Sequence, residues 1–123
     1  MALQVKLGEH TYELSKRLRV AYKIQGAHAH KSYQQVFEGI GDMGLEKQIE
    51  IIFYSFQDAN PTSDINKQQF TELFLDNYGL AQLMTLLGEI VEGITYNGMS
   101  EDEVEELKKK QAQLQERMTE RDI

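Results

Sequence analysis

The residues with the most obvious potential for chemistry are the histidines. His28 and His30 form a His-x-His pair, and His10 stands apart. Such a pair holds zinc when both rings leave a strand on the same side and a carboxylate or thiolate completes the shell. Here the pair falls between helical patterns. No carboxylate cluster adjoins it, no His-Glu-x-x-His spacing occurs, and the chain has no Cys. All three read as exposed loop histidines, and no metal or other cofactor is expected.

Gly39-Ile40-Gly41-Asp42-Met43-Gly44 spells G-x-G-x-x-G. A dinucleotide site needs a strand ahead of that motif, because the glycines turn the chain from strand into helix around a pyrophosphate. The pattern ahead of it here is helical, so these glycines read as the end of one helix and a turn into the next. Acid–base chemistry by paired carboxylates would draw on 20 Asp and Glu. Most lie in runs such as 101–106, where a solvated helix face is the ordinary explanation. Without Cys there is no thiolate nucleophile and no disulfide framework. The expectation is a protein without catalytic residues.

The elements that would carry any site are mostly helical. At 123 residues, 41% hydrophobic and 27% charged, the chain has the size and composition of one globular domain. A net charge of −7 argues against general nucleic-acid binding, which needs clustered Lys and Arg. No signal peptide and no membrane span are expected, so the chain reads as soluble and cytoplasmic. The charge is uneven: residues 1–40 sum to +3 and the remainder to −10. That asymmetry fits either two solvated faces of opposite sign or a head-to-tail meeting of protomers.

Leu3-Gln4-Val5-Lys6-Leu7 alternates like a half-buried strand. Gly8-Glu9-His10 turns the chain, and residues 11–14 return as a second strand. The apolar side of this hairpin (Leu3, Val5, Leu7, Tyr12, Leu14) must lie on the helices or on another subunit. Ser15 is expected to cap a first helix with Leu18, Ala21 and Tyr22 inward, ending at Gly26. Tyr33, Val36, Phe37 and Ile40 mark a second helix. A third runs over about 45–57 with Leu45, Ile49, Ile52, Phe53 and Phe56 inward. The only proline lies in the polar break Asn60–Asp64. Asn66 and Gln69 then stand as a capping box for a fourth helix carrying Phe70, Leu73 and Phe74.

The most apolar run is Leu80–Ile94, with large apolar residues at 80, 83, 84, 87, 90, 91 and 94. That spacing predicts a helix with one broad apolar face, the core element on which the others pack. After the turn at 95–99 the composition changes. Ser100 and Glu103 form another capping box. Val104, Leu107, Gln111, Leu114 and Met118 step as a narrow coiled-coil-like seam in a charged helix, either frayed or docked on a partner. The chain therefore divides into a helical domain with an N-terminal hairpin, residues 1–98, and a polar C-terminal helix, 99–123. The fold class is mainly α, with five to six short amphipathic helices. Met84, Met99 and Met118 suit either gap-filling or an adaptable binding surface.

The order of parts is an alternating start over Leu3–Leu14, short amphipathic helices, and the proline break. Phe70-Thr71-Glu72-Leu73-Phe74-Leu75-Asp76, the Leu80–Ile94 helix and the charged tail follow. This order resembles the tail assembly chaperones of long, noncontractile-tailed phages of Gram-positive hosts, lactococcal phages among them. The resemblance spans nearly the whole chain and rests on layout and size. It implies a small, mainly helical protein without enzymatic activity. Such a protein binds the helical, aggregation-prone tape measure protein in the host cytoplasm and keeps it soluble until tail tube subunits displace it. It further implies self-association into a homo-oligomer or spiral, and absence from the mature virion. Many members also have a longer, frameshifted product, for which the codons of Lys108-Lys109-Lys110 would be the place to look. The partner-binding residues expected on this reading are Leu80, Leu83, Met84 and Leu87, with Val104, Leu107, Leu114 and Met118. A rival reading is a small oligomeric adaptor or regulator that dimerises through 104–118.

Overall fold

The computed structural model describes residues 3–27 and 32–121, and only the backbone of Tyr33, Gln34 and residues 114–121. His28 and His30 lie outside the described residues. The chain opens with a hairpin of β1 (Gln4–Leu7) and β2 (His10–Glu13). It continues through α1 (Leu18–Ala27), α2 (Tyr33–Glu38), a 3₁₀ turn (Ile40–Asp42), α3 (Leu45–Ala59), α4 (Lys67–Asn77), α5 (Leu80–Thr95) and α6 (Glu101–Arg121). The fold is mainly helical with one small antiparallel sheet, as the periodicities indicate.

The organising element is α3 rather than the Leu80–Ile94 helix. β2, α1, α4 and α5 all pack against α3. Its Ile49, Ile51, Ile52, Phe53 and Phe56 are buried, and so are Gln48, Glu50, Ser55 and Asp58. Well over half of its circumference is therefore interior. The apolar stripe accounts for one side, and hydrogen bonds account for the polar side. Gln48 Nε2 donates to the Ile40 carbonyl at 2.9 Å, and Ser55 Oγ donates to the Ser15 carbonyl at 2.6 Å. Ser15 Oγ in turn donates to Asp58 Oδ2 at 2.5 Å. A buried polar group without such a partner would cost about 1–3 kcal/mol. Leu45, expected inward, is 51% exposed, because it sits on the first turn, where the chain enters from solvent.

The aromatic rings form a continuous core line. Phe70 is fully buried, with its ring centroid 5.0 Å from Phe56 and 5.5 Å from Phe53. Phe74 stacks at 4.5 Å on Tyr78, whose hydroxyl accepts the Lys6 backbone N–H at 2.7 Å. The hairpin thus lies on α4, with Val5, Leu7 and Leu14 buried. Its register pairs Val5 with Tyr12 and Leu7 with His10, and Gly8 takes φ +66° in the two-residue turn.

Residues 15–17 are tied down on two sides, and that sets the phase of α1. Ser15 N–H donates to the Ser55 carbonyl, and Asn97 Nδ2 donates to the Lys16 carbonyl at 2.8 Å. Ser15 therefore anchors to α3 instead of starting the helix. The buried face of α1 becomes Val20, Ala21 and Ile24. Leu18 and Tyr22, expected inward, are 72% and 79% exposed, and the helix runs through Gly26 to Ala27.

The capping box at Asn66 and Gln69 forms as read, with bonds of 2.8 and 3.0 Å. The G-x-G-x-x-G glycines end α2, span the 3₁₀ turn and place Gly44 at the N-cap of α3. Among the described residues no helix is long and apolar enough to cross a membrane.

Candidate functional site: an apolar groove along α5

The wide apolar stripe of α5 is divided lengthwise. Leu83, Leu87, Ile90 and Ile94 turn inward, joined by Leu86. Leu86 lies outside the expected stripe, on the side of α5 that faces Gln4 of β1 and Tyr78 at the end of α4. Leu80 and Met84, expected to belong to the stripe, stay 66% and 40% exposed, and Val91 is half-buried. Positions 84, 87, 88, 91 and 95 form one helix row. This row faces Phe37 and Ile40 from α2 and the 3₁₀ turn, and Tyr96 and Lys108 close the end. Between them lies an open groove of about 440 Å³. Gly88 contributes depth: a Cβ there would meet nothing within 4 Å.

Three polar side chains at the groove, Glu92, Thr95 and Lys108, already have partners. Lys108 Nζ donates to Glu92 Oε1 at 3.1 Å and stands 5.4 Å from the centroid of the Tyr96 ring. The Thr95 hydroxyl donates to the Val91 carbonyl at 2.7 Å. What remains available is apolar surface with a charged rim.

The expected binding residues therefore separate. Met84 and Leu87 line the groove, Leu80 is exposed one turn further along α5, and Leu83 is buried in the core. Val104 and Leu107 are half-buried on the first turns of α6, and Gln111 is exposed. Ser100 Oγ accepts the Glu103 N–H at 3.2 Å, one half of the expected box. The side chains of Leu114 and Met118 lie outside the described residues. Phe37, Ile40, Val91 and Tyr96 were not anticipated in a binding role. The first two had no sequence signal to link them to α5, which is distant in the chain.

Two buried carboxylates lie elsewhere, and both serve packing. Asp58 accepts Arg17 Nε at 2.9 Å beside its bond from Ser15. The Arg17 bond outweighs burial and, with Ser15, holds the Asp58 carboxyl below its ordinary range. Among the described residues the partners of Ser15 Oγ are the Asp58 carboxylate and the Arg17 N–H, with no imidazole among them. Burial pushes the Glu50 carboxyl up, but a 2.7 Å bond from the Tyr54 hydroxyl and nearby Lys47 and Lys67 reverse the direction. Burial and Glu50 push the Tyr54 hydroxyl up to about 12. His10 lies exposed on β2, and the described residues contain no group of His, Asp and Glu able to hold a metal. The chain matches no family model, no curated protein and no solved structure.

Proposed function

We propose that the chain is a chaperone for an amphipathic helical client, and that the client is the tape measure protein of a phage tail. The observation that carries this reading is the exposed part of the α5 stripe. Leu80 and Met84 project from a helix whose other face is core, beside a groove floored by Leu87 and Val91. A client helix presenting apolar residues at i, i+3, i+4 and i+7 is the complement of such a groove. The net charge of −7 keeps a coated client in solution. No step of bond-making chemistry is assigned to the protein. Tail tube subunits would compete for the client when the tube polymerises.

Dimerisation through 104–118 is the weaker reading, because Val104 and Leu107 are already half-buried within one chain. Co-expression with a phage tape measure protein tests the proposal. The wild type should raise the soluble yield of that protein, and Met84→Asp with Val91→Asp should abolish the gain while leaving the chaperone folded. An equally insoluble client with and without the wild type would sink the idea.

A further inference from the structure

The joint between α5 and α6 carries the chain's one Asn-Gly step, Asn97-Gly98. An asparagine before glycine is prone to cyclise, because the glycine has no Cβ to obstruct its backbone nitrogen. That nitrogen attacks the side-chain Cγ. Its proton passes through solvent to the departing amide, which leaves as ammonia. Water then opens the succinimide ring at either carbonyl and gives an aspartyl or an isoaspartyl residue. No oxidant, reductant or second protein enters the balance.

The local structure leaves the attack open at Asn97 and hinders it elsewhere. Both Asn97 and Gly98 are exposed, and Gly98 takes φ +82°. The Gly98 N–H donates to no acceptor among the described residues. The other three asparagines differ. Pro61 follows Asn60 and has no N–H. Tyr78 follows Asn77 and gives its N–H to the Phe74 carbonyl at 3.0 Å. Asn66 is held as the N-cap of α4, its Oδ1 accepting the Gln69 N–H at 2.8 Å, and Lys67 after it begins the helix.

The amide at risk also ties the fold together. Asn97 Nδ2 donates to the Lys16 carbonyl at 2.8 Å, across 81 residues. The bond joins the end of α5 to the entry of α1, beside the place where the Lys16 side chain crosses Gly93. A carboxylate has no hydrogen to donate there. Its oxygen would meet the Lys16 carbonyl as a second acceptor, with a negative charge just past the C-terminus of α5, where the helix dipole disfavours it.

We infer that Asn97 is a self-modification site, and that its conversion unties the α5–α6 joint from the start of α1. Conversion is one-way, since the ammonia is lost to solvent, so it marks the age of a molecule. This inference stands apart from the client reading, because neither Asn97 nor Lys16 lines the α5 groove.

Ageing the purified wild type at neutral and at mildly alkaline pH tests it, with peptide mass mapping as the first readout. The mass gain of amide-to-acid conversion should appear several-fold faster at Asn97 than at Asn60, Asn66 or Asn77. It should be faster still at the higher pH, where the attacking nitrogen gives up its proton more readily. Hydrogen exchange supplies the second readout. The Ser15 and Arg17 amides should exchange about fivefold faster in Asn97→Asp than in fresh wild type, the loss of one hydrogen bond. Aged wild type should move the same way in proportion to its conversion. Asn97→Gln, whose longer side chain closes a ring much more slowly, should not change with age. An Asn97 that converts no faster than the other three would overturn the inference. So would Ser15 and Arg17 amides that exchange alike in wild type and Asn97→Asp, or an Asn97→Gln protein that loosens equally with age.

Discussion

Two glycines on α5, Gly88 and Gly93, provide an internal comparison of helix propensity with packing. Each costs a helix interior about 1 kcal/mol relative to Ala. At Gly88 an added Cβ meets nothing within 4 Å, so Gly88→Ala should retain that gain. With the unfolding entropy of a chain this size, the melting temperature should rise by about 4 °C. At Gly93 the Lys16 side chain crosses the helix. A Cβ would overlap Lys16 Cδ and lie 2.7 Å from Cγ and 3.1 Å from Cβ. The far carbons can swing away. The Cβ cannot move far, because Ser15 is bonded to α3 and the Lys16 carbonyl to Asn97. Forced overpacking of this kind costs about 1–3 kcal/mol. Gly93→Ala should therefore be neutral to about 2 kcal/mol destabilising, and should melt below Gly88→Ala by several degrees. Adding Lys16→Ala to Gly93→Ala should return part of the loss, a coupling that a double-mutant cycle measures. Differential scanning calorimetry of wild type, Gly88→Ala, Gly93→Ala, Lys16→Ala and the Lys16→Ala/Gly93→Ala double variant decides the matter. If Gly93→Ala gains as much as Gly88→Ala, the packing of Lys16 on α5 is not as described.

Other perturbations have equally definite outcomes. Phe70→Ala, which removes a ring in contact with both Phe53 and Phe56, should cost about 3–5 kcal/mol in denaturant unfolding. Because folding lowers the Asp58 carboxyl, its contribution is complete above the ordinary carboxylate range and is lost as pH falls below that range, through the lowered value of the folded state. Stability of Asp58→Asn should accordingly change less than wild type on the acid side. The Tyr54 hydroxyl, raised to about 12, stabilises the fold below the ordinary tyrosine range and loses that contribution as pH climbs toward 12. In an alkaline absorbance titration it should ionise late, and Tyr54→Phe should remove that step.

The sequence was a good guide where local chemistry decides. The hairpin, the Asn66 capping box, the turn through the glycines at 39–44 and the proline break depend on neighbouring residues, and each is where its signal lay. The phase of α1 was not legible. It depends on Ser15 and Lys16 reaching partners 40 and 81 residues away, and no periodicity encodes those bonds. The central place of α3 was hidden for a related reason. Four of its nine buried residues are Gln48, Glu50, Ser55 and Asp58, polar residues that periodicity assigns to solvent. The candidate groove was half visible. Met84 and Leu87 announce themselves on the α5 stripe, whereas Phe37 and Ile40 join them only through tertiary packing.

The bond from Lys6 N–H to the Tyr78 hydroxyl also bears on the order of events at the ribosome. It spans 72 residues, and the Lys16–Asn97 bond spans 81. The hairpin emerges first but has no surface to lie on until α3 and α4 have been made. At 5–20 residues per second the strand waits roughly 4–14 s for its tyrosine. During that interval Val5, Leu7 and Leu14 form an apolar, β-prone segment with a bare edge. Tyr78 ends the interval by covering the Lys6 amide, so one residue at the close of α4 both seats the hairpin and blocks that point of its edge to another strand.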